Sequence, residues 1–332
     1  MSCSKGKRRL FKVGKLAYIL DLQRLWEEPA GSSSSHEASG AGAVDHHFVS
    51  VIMVVQSNQE TLLKSLQSIL TQLYIREIII VSCSPDLIFE SFLTKLCNLQ
   101  PKCMVVKAPP KIGLAAAYNI GAERAGGQFL LFLNAASLLP KNAVLKLMAT
   151  GIQKPLPWII GAKEQIIFAP AEKGFKNRWQ NMLSKDYEHF IANKQLSSPE
   201  VTLPGGGFHT PLVAASCLFI AANVFTELKG LDFKCFHSTF HRDLCLRVHL
   251  AGGGVYCAKD VNCIVHVSAP SRLLQGIRNE WQACRGWYHF YQKYLRRKNN
   301  IVLRSLFYGK LLSRFVRSLL AQGIYYGLRK KA

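Results

Sequence analysis

Acidic side chains are few. The chain has 20 Asp and Glu against 42 Lys and Arg, for a formal net charge of +22 and a pI near 9.7. Such an excess implies an anionic partner: nucleic acid, an anionic membrane surface or a phosphorylated substrate. Paired metal-binding cysteines are missing too. The ten cysteines are scattered without a CxxC, which argues against a zinc site. In a chain without a secretion signal, they fit a reducing cytosol. No apolar run reaches the roughly 18–20 residues of a spanning helix, so the chain is expected to lie on a membrane at most, not to cross one. The best such run, 212–225, reads as buried core. Pro204-Gly205-Gly206-Gly207-Phe208 lacks the Lys-Ser/Thr of a phosphate-binding P-loop, and its glycines suit a mobile or merely connecting loop. No zinc finger, RNP-type strand or helix-turn-helix pattern occurs, and the basic residues gather at both ends instead of in one groove. Nucleic acid therefore ranks below the other anionic partners.

The 332 residues, 49% of them hydrophobic, suffice for one large core with appendages. Residues 1–47 form a basic extension and a linker. Lys5, Lys7, Arg8, Arg9, Lys12 and Lys15 precede a short apolar stretch that reads either as a surface-binding amphipathic helix or as a solvated tail. Ser- and Gly-rich residues 29–47 are linker-like, and His36, His46 and His47 have no acidic or Cys partner nearby.

From Val49 the pattern alternates. Apolar strands are expected at 49–55, 77–81, 103–106 and 129–133, with amphipathic helices at 60–73 and 87–97 and an Ala-rich helix that ends at Gly126-Gly127. Short βα units of this kind specify a mostly parallel central sheet flanked by helices. Phe129-Leu130-Leu131-Phe132-Leu133 is too short for a helix and has no solvent face, so it belongs at the sheet centre. Its tip, Asn134-Ala135-Ala136-Ser137, lies where α/β folds place ligands.

These landmarks carry a resemblance. Residues 49–147 hold the V-S-V-I strand, Gln72-Leu73-Tyr74, the E-I-I-I-V strand, Lys111-Ile112-Gly113, Tyr118-Asn119-Ile120-Gly121 and the F-L-L-F-L-N strand. In that order they resemble the nucleotide-binding half of family-2 glycosyltransferases of the GT-A fold. Residues 213–268 resemble the acceptor half through Gly230-Leu231-Asp232, Asp243-Leu244-Cys245-Leu246-Arg247, Ala251-Gly252 and Val265-His266. The nearest subgroup is that of the bacterial rhamnosyltransferase-like enzymes of surface polysaccharide assembly. The implied organisation is a GT-A domain over 48–270 followed by a helical tail over 271–332.

What the resemblance implies for chemistry is uneven. The family's nucleobase-contacting acid falls at Ser82, its metal-binding Asp at Ala136, and its Glu-Asp base pair at Phe240 and His241, while Asp243 stays acidic. The implied donor side is Ser57, Ser82, Lys111, Gly113, Asn119 and Asn134, and the implied acceptor or phosphate side is Arg242, Arg247 and His266. Alanine cannot ligate a cation, so Ala136 argues against Mg²⁺ or Mn²⁺, and no metal ligand is assigned. Two readings compete. In one, His241 takes the acceptor proton beside Asp243, and Lys111 with Arg242, Arg247 or His266 offsets the diphosphate charge. Such an enzyme would transfer, with inversion, a sugar from a nucleotide diphosphate sugar to a lipid-linked or surface polysaccharide. In the other, a GT-A scaffold binds a partner, glycan or anionic membrane without turnover.

Two basic aromatic regions remain. Lys173, Lys176, Asn177, Arg178 and Trp179 read either as a glycan or phosphate patch or as a solvated helix face. In the tail, Leu303, Phe307, Leu311, Phe315 and Leu319 recur every fourth residue, with Lys310, Arg314 and Arg317 on another face. This stripe suits an interfacial helix on the inner face of the cytoplasmic membrane; packing against the GT-A domain is the alternative.

Overall fold

The computed structural model describes residues 48–56, 59–152, 154–168, 207–235, 239–267, 273–296 and 301–329. Ser57, the linker histidines, the 173–179 patch and residues 204–206 of the glycine stretch lie outside them.

Strand β1 (Val49–Val55) is buried along all 7 residues. It pairs in parallel with β2 (Ile75–Ser82) on one side and β4 (Phe129–Asn134) on the other. β2 in turn pairs with β3 (Cys103–Lys107). β4 is the central strand the sequence predicts: Phe129 to Leu133 are buried, and burial ends at exposed Asn134. Beyond β4 the sheet turns antiparallel through β8 (Cys217–Ala221), then passes to β6 (Trp158–Phe168) and β9 (Gly254–Val267). The long β9 carries β7 (Gly207–His209) on its first half and β5 (Ser137–Leu138) on its second. Among the described residues the order is β3-β2-β1-β4-β8-β6-β9-β5.

Helices α1 (Gln59–Leu70), α2 (Leu87–Leu99), α3 (Leu114–Ala122) and α4 (Ala143–Ile152) connect these strands, each presenting buried residues to the sheet. Asp86 caps α2 by accepting from the Ile88 N–H. The exit from α3 is latched to the sheet. Gly126 N–H donates to Glu77 Oε1 at 2.7 Å, Gly127 N–H donates to Ser50 Oγ at 2.9 Å, and that hydroxyl donates to Glu77 at 2.7 Å. A Cβ on Gly127 would lie 2.7 Å from the Ser50 backbone nitrogen, so only glycine lets the turn pass.

After α5 (Ala222–Glu227) and α6 (Phe240–Leu250), the tail forms a hairpin of α7 (Leu273–Tyr294) and α8 (Ile301–Arg329). Tyr291 and Phe307 stack between the two helices with ring centroids 3.9 Å apart, and Leu246 of α6 joins them with Trp287 and Phe290 in one buried cluster. This corrects the bilayer reading of the i+4 stripe. Phe307 and Leu311 belong to the cluster, Phe315 packs on Trp281, and Arg314 is a buried partner of Glu280 at 2.6 Å. Apolar residues at that spacing follow the face turned to a neighbouring helix. Among the described residues no helix is long and apolar enough to cross a membrane.

Packing of α3 on the sheet is tight at one point. A Cβ on Gly121 would meet Ile52 Cγ2 at 2.4 Å and Val81 Cγ2 at 2.9 Å, both in the core. Gly121→Ala is therefore expected to destabilise by about 1–3 kcal/mol through overpacking, outweighing the helix propensity gained. Chemical denaturation would measure it.

Candidate functional site

Parallel strands expose their C-terminal ends along one edge, and four of the residues that the resemblance assigns to the donor side, Ser82, Lys111, Gly113 and Asn134, lie along it. Ser82 ends β2, Lys107 ends β3, Lys111 and Gly113 lie in the loop into α3, and Asn134 ends β4. Lys111 holds φ +70° and Gly113 φ +96°, so the loop makes two left-handed turns immediately before the helix. The β4 tip is rigid. Asn134 N–H donates to the Ser216 carbonyl at 3.0 Å, Asn134 Oδ1 accepts from Ala136 N–H at 2.9 Å, and Ser65 Oγ donates to the Ser137 carbonyl at 2.6 Å. His266 arrives from β9 and donates its backbone N–H to the Ala136 carbonyl at 3.1 Å. Two residues 130 positions apart in sequence thus meet at the tip.

At the end of β2 the expected acid is replaced by an arrangement that the sequence did not suggest. Ser82 is buried, and its hydroxyl donates to Glu90 Oε1 from α2. Glu90 Oε2 lies 3.6 Å from Lys107 Nζ at the end of β3. A carboxylate therefore does stand behind the β2 tip, supplied eight residues later. Its only sequence signal is its place one turn into a helix capped by Asp86.

Asn119 is committed elsewhere. Its Nδ2 donates to the Leu231 carbonyl and its Oδ1 accepts from Leu231 N–H, both at 2.8 Å, clasping α3 to the turn at Gly230. The donor-side expectation for Asn119 is corrected accordingly: both ends of the carboxamide are used in joining the two halves.

The acceptor-side residues stand differently from their expected roles. His241 is buried against Phe240, and Arg242 Nη1 donates to its Nε2 at 3.1 Å. The ring hydrogen thus sits on Nδ1, which has no hydrogen-bond partner among the described residues. Burial, with the Arg242 cation beside it, pushes the imidazole well below the usual histidine range. His241 is therefore a weak, enclosed base, which corrects its assignment as the group taking the acceptor proton. Arg242 turns to the Trp287 ring at 5.1 Å, toward the helical hairpin.

Asp243 is fully buried and already answered. Arg247 Nε and Nη2 reach Oδ2 at 2.8 and 2.7 Å, while Lys293 Nζ and Tyr294 Oη reach Oδ1, each at 2.7 Å. Arg247 also donates to the Leu228 carbonyl. Asp243 and Arg247 thus tie α6 to α7, a structural role where a chemical one was expected.

Lys293 bridges further, to Asp232 Oδ2 at 2.8 Å, and His289 Nε2 stands 3.1 Å from the same oxygen. Burial would raise Asp232, but hydrogen bonds from Lys293, the Lys234 backbone and His289 outweigh it and hold the carboxyl at about 2. Cys235 completes a group whose ligand atoms lie within 4.8 Å of one another. Burial, followed by the charges of Asp243 and Asp232, pushes its thiol up. The Lys293 ammonium already supplies this group with its cation. Nothing in the sequence separately marked His289, Lys293 and Tyr294, which reach the site only because α7 folds back.

At the β4 tip the side chains of Asn134, Ala135, Ala136 and Ser137 are one carboxamide already accepting a hydrogen bond, two methyl groups and one hydroxyl that donates to the Ser216 carbonyl. Mg²⁺ and Mn²⁺ favour carboxylate and other oxygen donors. The tip supplies no carboxylate, so these residues do not fit such an ion.

Residues 50–197, just under half of the chain, match the model for glycosyl transferase family 2. Two solved structures share the architecture. GalNAc-T7, determined with UDP, GalNAc and Mn²⁺, superposes with a TM-score of 0.53 at 16% identity, over 68% of this chain and 45% of its own. This chain therefore spans less than half the length of that relative. The mannosyltransferase PcManGT from Pyrobaculum calidifontis, determined with GDP-Man and Mn²⁺, gives 0.54 at 14% identity, over 96% of this chain and 83% of its own. No curated protein shows a significant sequence match. The fold is GT-A.

The state of His241 can be read directly. Its unfolded form takes up a proton near pH 6.5, which the buried ring resists. The stability its burial carries is thus intact above pH 6.5 and declines as the pH falls below it. In NMR titrations His241 should remain neutral at a pH where exposed histidines are charged. His241→Phe should flatten the acid-side decline in unfolding free energy.

Proposed function

We propose that this chain transfers a sugar from a nucleotide diphosphate sugar to a carbohydrate acceptor, without a divalent cation at the β4 tip. The observation that supports the reading is the strand edge, along which β2 ends in Ser82 held to Glu90 and β4 ends in Asn134, with Lys111 in the loop after β3 and His266 joined to Ala136 through its backbone. Glu90, held by Ser82, takes the nucleobase side. Lys111 offsets the diphosphate, and Asn134 with His266 borders the sugar. The family match over 50–197 and the nucleotide-sugar complexes of the two structural relatives support this donor class.

The transfer is an inverting displacement. The acceptor hydroxyl oxygen bonds to the anomeric carbon, the bond from that carbon to the phosphate oxygen breaks, the nucleotide diphosphate leaves with the electron pair, and the hydroxyl proton passes to solvent. The acceptor is a lipid-linked or surface polysaccharide of the kind served by rhamnosyltransferase-like enzymes. The enzyme works from the cytoplasm on the inner face of the cytoplasmic membrane, consistent with the cationic excess of the chain.

One set of observations favours a second reading, a GT-A scaffold that binds glycan or partner without turnover. The positions aligned with the family's acids hold Ala136, Phe240 and enclosed His241, and Asp243 is saturated by Arg247, Lys293 and Tyr294.

Thermal shift separates the two. With UDP, GDP, dTDP and their sugars, one nucleotide should stabilise the protein with or without Mg²⁺, by about 2.7 kcal/mol at a hundredfold excess over Kd. Lys111→Asn, which tolerates positive φ while removing the charge, should weaken that binding about tenfold. Glu90→Gln should alter the preference among bases more than the overall stability. Absence of any nucleotide shift would leave the scaffold reading.

A further inference from the structure

Turning Phe307, Leu311 and Phe315 inward leaves a different set of apolar side chains on the outside of α8. Val302, Leu306, Leu312, Val316 and Leu320 are 45% to 65% exposed. At 3.6 residues per turn they fall within roughly 120° of arc, one stripe along the helix interrupted by the small residues Ser305, Gly309 and Ser313. The stripe has two different borders. On one side are aromatic residues: exposed Trp281 lies against Phe315 with centroids 5.7 Å apart, and exposed Tyr288 lies against Tyr308 at 6.0 Å. On the other side stand exposed Lys310 and Arg317. Across its 29 residues α8 has no acidic side chain.

We infer that the outer face of α8 is a bilayer-contact surface, seating Val302, Leu306, Leu312, Val316 and Leu320 at the acyl–headgroup boundary of an anionic membrane. This rests on the peripheral-membrane part of the proposed function and names the surface that performs it. Charge complementarity selects the occupant. Lys310 and Arg317 reach anionic headgroups, while Trp281 and Tyr288 suit the interfacial layer, where an apolar ring body and a polar tip are both satisfied. A second copy of this chain is disfavoured on the same face, because each copy brings a net charge of +22 and basic residues would meet basic residues. The hairpin is joined firmly to the site. Lys293 of α7 holds Asp232 and Asp243 at 2.8 and 2.7 Å, so a docked α8 would fix the height of the acceptor half above the membrane.

The test is sedimentation of the full chain with phosphatidylcholine vesicles, with and without phosphatidylglycerol. The wild-type chain should partition onto the anionic vesicles. The triple variant L312E/V316E/L320E should lose at least tenfold in partitioning, with its melting temperature and any nucleotide shift unchanged. K310E/R317E should lose about fivefold per charge and much of its preference for the anionic lipid. Loss of binding in the triple variant with the fold intact supports the inference. If the wild type binds and the triple variant binds equally, this surface is wrong while membrane association stands. If the wild type ignores anionic vesicles, both fall, and the nucleotide shift still judges sugar-donor binding separately. Self-association of the wild type that the triple variant loses, without vesicle binding, would assign the stripe to a copy of the chain and overturn the inference.

Discussion

Asp243 is fully buried, and a buried carboxylate must be answered from within the protein. Arg247 answers it from the next turn of α6, and Lys293 and Tyr294 answer it from α7. Arg247 and Lys293 are its two cations, and stripping both from so buried a group would leave a charge uncompensated, at a cost of about 3–5 kcal/mol. The helical hairpin therefore cannot leave the sheet domain cheaply, and its aromatic cluster of Trp287, Phe290, Tyr291 and Phe307 seals the same junction against Leu246. Lys293 extends the tie to Asp232, and Asn119 clasps the neighbouring turn from the nucleotide-side half. Both halves and the tail are thus linked around one short region, 228–247.

This junction recasts several residues that the family resemblance places in chemistry. A carboxylate saturated by cations stabilises an arrangement but accepts no proton from a substrate. A histidine enclosed beside an arginine is neutral and weakly basic for the same reasons of burial and charge. Other chemistry-bearing groups lie along the parallel strand edge. Lys111 lies in the loop there, and Glu90 is held against the β2 tip by Ser82 and Lys107. The charged groups at the strand edge are thus separate from region 228–247, whose charges hold α7.

Much of the fold was legible because it depends on local pattern. The strands at 49–55 and 129–133 are buried on every residue and apolar at all but Ser50, and such runs have no stable place except the middle of a covered sheet. The α3 loop announced itself through Gly113 and the Ala-rich run behind it. Less legible were the pairings. The i+4 stripe of α8 looks the same whether it faces lipid or a helix, since both solvents are apolar. Only the presence of α7 alongside it assigned Phe307 and Phe315 inward and left Leu312 and Val316 outside. Glu90 was overlooked because position along a helix does not say which strand tip lies beneath it.

By itself the sequence determined the parallel sheet, the central strand, the strand tip and the cationic excess, because hydrophobic burial and net charge are sums over local composition. Tertiary structure alone decided which charges are spent on the fold and which face an incoming ligand. A side chain's pKa and availability depend on partners brought from 50 or more positions away, as Lys293 and Tyr294 are to Asp243. No local pattern carries that distance.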